Sequence, residues 1–345
     1  MNETLATILA TMTLAVASSA ASAQTTAPRF EPVTVENYNR AQTEVYFAGA
    51  VKNGGLGKFV HSRELTPPNQ RGIVRPNRDT LYSFGVFDLD AGPVAISLPA
   101  GAPRYMAMQI VNEDQFTPVA YYGAGTYTLT KGTIGSRYAM AVVRFFVDFS
   151  DQQEVRKIHA MQDAIKVEQK LPGTFEIPNW DEASLGRIRA ALLQLGTTIS
   201  DTRRMYGANK SEVDSVKHLI GSAMLWGGNR ERDALYLPIT PARNDGKTVY
   251  KLTVGEVPVD GFWSVTVYNS EGYFDPNRRD AYSLNSITAK KGPDGSVTIQ
   301  FGRCGDNAQN CLPIAEGWNY TVRLFRPRSA VLDGTWQFPL AQPES

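Results

Sequence analysis

The chain has 345 residues, with 35 lysines and arginines against 34 aspartates and glutamates, so its formal net charge at pH 7 is +1. A charge so close to zero does not favour nucleic acid or an anionic membrane surface as a partner. A chain of this length usually forms two hydrophobic cores. Its 15 tyrosines, 15 phenylalanines, 29 glycines and 20 prolines favour β structure with many turns.

The N-terminal segment has the pattern of a secretory signal peptide. Residues 5–16 are an apolar run, and Ala21-Ser22-Ala23 is a small-residue cleavage motif, which predicts cleavage before Gln24. Asn2 and Glu3 stand where a leader normally carries Lys or Arg, and a buried N-terminal helix is the alternative interpretation. The pattern predicts a periplasmic or secreted protein with no membrane span once residues 1–23 are removed.

The first predicted elements are an exposed arm at 24–37 and a helix at 38–51. Five segments rich in aromatic and β-branched residues follow, and they predict strands at 82–89, 94–98, 105–112, 126–130 and 138–149. The gaps between them contain Gly, Pro and Asp and have the length of hairpin turns. This spacing favours an antiparallel β-sandwich or jelly roll at 24–150 over a βαβ fold.

The hydrophobic period then changes to that of helices. Apolar residues recur at helical spacing from Val155 to Ile165, behind a capping-box pattern of Ser150 and Gln153, which predicts a helix at 151–170. Weaker helical patterns follow, one ending at Gly196 and the next lying before Gly227-Gly228. These patterns predict a helical insert at 151–228.

A second β region is predicted at 229–345, with strands at 249–254, 262–269, 283–289, 296–302 and 319–325 and a hairpin turn at Asp294-Gly295. Three motifs of the first β region recur here in the same order. The pairs are Asn77-Arg78-Asp79-Thr80-Leu81-Tyr82 with Asn229-Arg230 and Asp233-Ala234-Leu235-Tyr236, residues 105–112 with 262–269, and Arg144-Phe145-Phe146 with Arg323-Leu324-Phe325. This order predicts a mainly β protein with two antiparallel β-sandwich or jelly-roll-like domains that arose by internal duplication.

The same segments resemble two protein families. The region around the first strand resembles the domain of unknown function 1254 (DUF1254), through Arg75-Pro76-Asn77-Arg78-Asp79-Thr80-Leu81-Tyr82-Ser83, Asp88-Leu89 and Gly92-Pro93-Val94. The C-terminal region resembles the domain of unknown function 1214 (DUF1214), through residues 262–268, Asn277, Tyr282-Ser283, Leu312-Pro313, Arg323, Pro327 and Asp333-Gly334. The resemblance covers nearly the whole mature chain and implies no catalytic residue. Cys311 departs from the family pattern, which usually has an aromatic residue before its Leu-Pro.

The two cysteines, Cys304 and Cys311, lie seven positions apart in a predicted loop. A disulfide is the default interpretation in an oxidising compartment. The alternative is a two-cysteine metal site, but His61, His159 and His218 all lie far along the chain from the pair. The sequence therefore predicts a disulfide and gives no indication of a metal site or a cofactor.

The best candidate ligand site is a polar cluster just ahead of an apolar strand, formed by Arg75, Asn77, Arg78, Asp79 and Tyr82. Arginine supplies forked donors for an anionic or hydroxylated ligand, and a carboxylate accepts a proton or a hydrogen bond. The alternative is a buried polar network that fixes a strand corner, in which we expect Asp79 to be buried and held by Arg75 or Arg78.

Loop carboxylates form a weaker candidate, made of Glu113, Asp114, Glu271 and Asp275. They could serve glycoside hydrolysis or bind calcium, but solvated loop charge is the simpler interpretation. Two functions therefore stay open, beside a purely structural role in the cell envelope. The first is a cell-envelope module that binds a small-molecule or carbohydrate-like ligand in a β-domain groove, and the second is a hydrolase that uses carboxylates such as Asp79 rather than histidine.

Overall fold

The computed structural model describes residues 30–344. The predicted signal segment lies outside these residues. The helices are α1 (Tyr38–Lys52), α2 (Lys131–Ile134), α3 (Gln152–Asp163), α4 (Glu182–Gly196), α5 (Ser215–Met224) and α6 (Ser329–Leu332). The strands are β1 (Val60–Ser62), β2 (Thr80–Asp88), β3 (Val94–Leu98), β4 (Met106–Asn112), β5 (Val119–Tyr122), β6 (Gly125–Leu129), β7 (Tyr138–Phe146), β8 (Lys166–Gln169), β9 (Ala234–Ile239), β10 (Tyr250–Val254), β11 (Trp263–Tyr268), β12 (Ser283–Asn285), β13 (Val297–Phe301), β14 (Cys311–Leu312), β15 (Asn319–Phe325) and β16 (Gln342–Pro343). The predicted mainly β class is confirmed.

The N-terminal half contains a five-stranded sheet, β1-β2-β7-β4-β5, and a three-stranded sheet, β6-β3-β8. Alternate residues of the large sheet, such as Leu81, Met108 and Phe145, pack in one core with Ile96 of the small sheet, and all four are fully buried. Because side chains alternate between the two faces of a strand, this pattern leaves the opposite face of the large sheet for other contacts.

The C-terminal half contains the sheets β12-β11-β15-β9 and β14-β13-β10-β16. Val265 and Val322 of the first sheet form a core with Leu252 and Ile299 of the second, and Trp318 is fully buried beside them. Cys311 lies on β14, and its disulfide to Cys304 is confirmed, with the two Cα atoms 5.6 Å apart.

The two halves share one strand order. In the N-terminal large sheet, β2 pairs with β7, β7 with β4, and β4 with β5. In the C-terminal large sheet, β9 pairs with β15, β15 with β11, and β11 with β12. The register agrees as well, since Tyr82 lies opposite Arg144 and Tyr236 lies opposite Arg323. The repeated motifs of the sequence therefore occupy matching positions in the two sheets.

The helix predicted at 151–170 is too long. Helix α3 ends at Asp163, and residues 166–169 form β8, which pairs with β3. As an edge strand, this segment places Val167 against the N-terminal core and leaves Lys166 and Glu168 exposed. The predicted capping box is also wrong, because Asp151 caps α3 by accepting from the amides of Gln153 and Glu154.

The turn predicted at Asp294-Gly295 is present, since Gly295 has a φ of 80° and the Asp294 carboxylate accepts from the Ser296 amide. It does not join a hairpin, because β12 and β13 lie in different sheets. The turn instead leads the chain from one layer of the sandwich to the other.

Helices α1, α4 and α5 pack on one another and cover the junction between the two halves. Tyr38 of α1, Leu192 of α4 and Ile220 of α5 share a core with Phe146 at the end of β7 and Phe262 just before β11. Within residues 30–344, no helix has the length and apolarity needed to cross a membrane.

Candidate functional site

An aromatic cluster joins the outer faces of the two large sheets. Phe146 stacks on Phe262 with ring centroids 3.9 Å apart, and Phe262 stacks on Phe325 at 4.2 Å. Tyr105 contacts Phe262 at 5.5 Å and Phe325 at 5.7 Å. Tyr105 and Phe146 belong to one half, and Phe262 and Phe325 are their counterparts in the other. The cluster thus places matching residues of the two halves in contact.

Asp79 bridges the same junction. Its carboxylate is buried, and Oδ1 accepts hydrogen bonds from Ser283 Oγ at 2.8 Å and Asn285 Nδ2 at 3.0 Å, both on β12 of the other half. The expected burial is confirmed, but the expected partner is wrong. Neither Arg75 nor Arg78 forms an ion pair with Asp79 within residues 30–344, because β12 supplies neutral donors at the position where the chain turns into β2.

Asp233 of the C-terminal half makes the equivalent contact to the N-terminal half. It precedes β9 as Asp79 precedes β2, and its Oδ1 accepts from the Tyr122 hydroxyl on β5 at 2.7 Å. Its Oδ2 accepts from Arg230 Nε at 2.6 Å, which forms a buried ion pair. Each half therefore contributes one carboxylate that accepts hydrogen bonds from the other half, Asp79 from β12 and Asp233 from β5.

The two predicted arginines also contact the C-terminal half. The Arg75 amide donates to the Gly272 carbonyl at 2.8 Å. The Arg78 guanidinium pairs with Asp280 at 3.2 Å and lies over the Tyr282 ring, 4.8 Å from its centroid. These contacts place the predicted cluster at the junction between the halves rather than in a groove of one β domain.

The remaining two members of the cluster act within the N-terminal half. Asn77 Oδ1 accepts from the Asp79 amide at 2.7 Å and shapes the turn into β2. The Tyr82 ring lies beneath the guanidinium of Arg144, 5.6 Å from its centroid. The structure brings the five predicted residues together at one side of the junction.

A cleft of about 420 Å³ lies at another part of the junction. Its walls include Arg104, Tyr105 and Tyr122 from the N-terminal half and Asp260 and Arg326 from the C-terminal half. A concave surface between domains, with aromatic walls and a few charged groups, has the properties of a small-molecule site.

Arg326 supplies a cation with unused donors to this cleft. Its guanidinium lies over the Tyr122 ring, 4.9 Å from the centroid, and is 4.0 Å from Asp260. Asp260 accepts a shorter bond, 2.8 Å, from Arg328. Arg326 has a φ of 51°, a left-handed conformation that is uncommon outside glycine and is often found at binding sites.

The two tyrosines of the cleft remain protonated at neutral pH. Burial, followed by the nearby Tyr105 and Asp233, raises the pKa of Tyr122. Burial also raises the pKa of Tyr105. Both hydroxyls therefore keep their protons, and the Tyr122 hydroxyl donates its proton to Asp233.

The loop carboxylates divide between the two halves. Glu113 and Asp114 pair with Arg40 at 3.1 and 2.7 Å, whereas Glu271 and Asp275 are exposed on the matching loop of the other half. No group of three histidine, cysteine or acidic side chains in the described part of the chain is arranged to hold a metal ion.

The sequence gave no signal for Arg326 or Asp260. These two flank the strands β11 and β15 and meet Tyr122 only when the halves pack together. Tyr105 could have been found, because the repeat aligns it with Phe262 and so places both at the junction.

The family models match two segments of this fold. One is "Protein of unknown function (DUF1254)" at residues 56–169, and the other is "Protein of unknown function (DUF1214)" at residues 240–329. The chain belongs to the proteins that combine a DUF1254 region with a C-terminal DUF1214 region.

Two solved structures share the fold. The VPA0106 protein from Vibrio parahaemolyticus is 16% identical, with a TM-score of 0.64, over 90% of this chain and 98% of that one. An uncharacterized protein from Burkholderia cenocepacia is 12% identical, with a TM-score of 0.50, over 90% of this chain and 88% of that one. No curated protein matches the chain significantly.

Proposed function

We propose that the protein acts in the cell envelope or outside the cell and binds a small carbohydrate-like molecule in the cleft between its two halves. The observation that carries this proposal is the 420 Å³ cleft with Tyr105 and Tyr122 on its wall. Sugar rings pack well against aromatic faces, and these two rings are fixed by contacts on both sides of the junction.

The charged groups favour a ligand that carries an acid group. Arg326 has donors to spare because the nearest carboxylate, Asp260, is bonded more closely to Arg328. A guanidinium binds carboxylates through two parallel hydrogen bonds. A sugar acid therefore suits the cleft better than a neutral sugar of the same size.

Calorimetric titration with glucuronate and glucose tests this proposal. We expect glucuronate to bind more tightly, and we expect Arg326→Asn to remove that preference, since Asn tolerates the left-handed backbone at this position. Arg303→Asn is the matched control, because Arg303 is exposed and has a φ of 50°. Equal binding of both sugars, or a preference that survives Arg326→Asn, contradicts the proposed role of the cleft.

The hydrolase alternative receives less support from this geometry. Hydrolysis of glycosides generally needs two carboxyl groups on either side of the scissile bond. Within residues 30–344, Asp260 is the one carboxylate on the wall of the cleft, while Asp79 is buried against β12. Binding therefore remains our proposal.

Export and duplication are further parts of the proposal. N-terminal sequencing of the secreted protein should begin at Gln24, and a start at Met1 would exclude cleavage.

Internal duplication is supported by the shared strand order and by the equivalent pairs Tyr82 with Arg144 and Tyr236 with Arg323. Comparison of many related sequences tests it, because a duplication predicts that the two halves align in this same register.

A further inference from the structure

The wall of the cleft carries a second arginine, which comes from the N-terminal half. Arg104 lines the cleft together with Arg326 of the C-terminal half. The residues that follow and precede them in the chain pack on each other, since the ring centroid of Tyr105 lies 5.7 Å from that of Phe325. This contact places the two arginines at neighbouring positions on opposite sides of the junction.

The guanidinium of Arg104 is only partly engaged by the protein. Its Nε donates to Glu154 Oε1 at 2.8 Å, and within residues 30–344 its two Nη groups have no hydrogen-bond partner. The same Glu154 oxygen also accepts from the Asp148 amide at 3.0 Å. Because Glu154 contacts one edge of the guanidinium, the other edge can bind the carboxylate or phosphate of a ligand.

Arg326 is held in place by its backbone. Its amide donates to the Asp233 carbonyl at 2.9 Å, and its carbonyl accepts from the Asp260 amide at 2.9 Å. Its guanidinium makes no hydrogen bond to another part of the described chain, and the Asp260 carboxylate is 4.0 Å away. Arg326 is therefore the stronger anchor for an acid group, and Arg104, which already contacts Glu154, is the weaker one.

Small residues make up much of the remaining wall, namely Gly101, Ala102, Gly123 and Ala124. A methyl group added at Gly101 or Gly123 meets no atom within 4 Å, so the space beside these two residues is open. The cleft volume of about 420 Å³ lies in the range of sites that hold small molecules. The cleft therefore has room for a ligand that contacts both halves at once.

We propose that the ligand of the cleft is a sugar with two acid groups, one bound by Arg326 and the other by Arg104. This inference rests on the proposed function, since it names the class of sugar that the same cleft binds. A neutral sugar uses neither guanidinium, and a sugar with a single acid group uses the stronger anchor alone. A doubly acidic sugar forms charge-assisted hydrogen bonds to both halves of the molecule.

Calorimetric titration with four sugars that share one ring tests this inference. Glucose has no acid group, glucuronate and glucose 1-phosphate have one each, and glucuronate 1-phosphate has two. We expect glucuronate 1-phosphate to bind at least about tenfold more tightly than either singly acidic sugar. Arg104→Gln should reduce its advantage over glucuronate to less than about twofold, because the second acid group then meets no cation.

Glu154→Gln is the matched control for Arg104→Gln. It breaks the same ion pair but keeps the Arg104 guanidinium, and it keeps an oxygen that can accept from the Asp148 amide. If the second acid group binds Arg104, Glu154→Gln should retain the full advantage of glucuronate 1-phosphate. Loss of this advantage in both variants assigns it to the ion pair and overturns the inference.

The titrations separate failure of this inference from failure of the proposed function. Suppose that glucuronate binds more tightly than glucose but glucuronate 1-phosphate shows no further gain, or that the gain survives Arg104→Gln. The cleft then keeps its sugar acid, and the second anchor is wrong. Equal binding of glucuronate and glucose contradicts the proposed function, and this inference fails with it. A gain of about tenfold that is lost in Arg104→Gln and kept in Glu154→Gln supports the doubly acidic ligand.

Discussion

Asn112 and Asn269 close the same loop in the two halves of the molecule. Asn112 Oδ1 accepts from the amides of Asp114 and Phe116 at 3.0 Å, and Asn269 Oδ1 accepts from the amides two and four positions later at 3.1 and 2.9 Å. The third residue after each asparagine has a positive φ, 68° at Gln115 and 83° at Gly272. One side chain thus organises each turn that leaves the third strand of a half.

Replacement of either asparagine by alanine should weaken its loop. We expect Asn112→Ala and Asn269→Ala each to lower the free energy of unfolding by about 1 to 3 kcal/mol, because two amides lose their acceptor. Asn112 should be the more costly of the two, since it is buried and Asn269 is partly exposed. Urea unfolding of both variants beside the exposed control Asn307→Ala measures the difference, and values equal to that control would contradict the role given to the side chains.

Asp79 and Asp233 should respond differently to the same substitution, although they occupy matching positions. Asp79→Asn keeps an oxygen that can accept from Ser283 and Asn285, so we expect a loss of no more than about 1 to 2 kcal/mol. Asp233→Asn breaks a buried ion pair and leaves Arg230 uncompensated, which typically costs about 3 to 5 kcal/mol. Thermal and urea unfolding of the two variants side by side decides the matter, and a larger loss for Asp79→Asn would show that Asp79 has a cationic partner.

The disulfide should stabilise the C-terminal half. It joins Cys304 to Cys311 on β14, which pairs with β13 beside the core. Closing so short a loop contributes about 2 to 3 kcal/mol on the chain-entropy model. The double variant Cys304→Ser with Cys311→Ser should lose that amount in urea unfolding, and the wild type should lose it when reductant is added. Two free thiols by intact mass in the exported protein would exclude the bond.

The sequence predicted strands well where their two faces differ or where apolar runs are long, as at β3 and β7. It missed β5 and β9, because β5 is a four-residue edge strand and β9 contains Pro238. It also located two residues that hold the junction, since Asp79 and its repeat Asp233 stood out as parts of motifs. It could not predict which partners they meet. Ser283 and Asn285 lie more than 200 positions from Asp79, and only the packing of one half on the other brings them together.

Glu44 on α1 should make stability depend on pH near neutrality. Its carboxylate is buried, accepts from Trp180 Nε1 at 2.8 Å and shares Arg40 with Glu113. Burial, together with the negative charge of Glu113, raises the pKa of Glu44 to about 7 from 4.5. Between these two values the folded protein holds a proton that the unfolded chain releases, so the contribution to stability is greatest below about pH 4.5 and falls until about pH 7.

Glu44→Gln removes this titration and should flatten the stability profile. Between pH 4.5 and 7.5 we expect the wild type to lose about 1 to 3 kcal/mol relative to Glu44→Gln, because each unit of pKa shift corresponds to about 1.4 kcal/mol and the coupling to Glu113 and Arg40 offsets part of it. Urea unfolding at half-unit pH steps measures the two curves, and Glu64→Gln, at an exposed position, should follow the wild type. If the Glu44→Gln and wild-type curves run parallel over this range, the raised pKa of Glu44 is excluded, and another titratable group must carry any pH dependence that both curves retain.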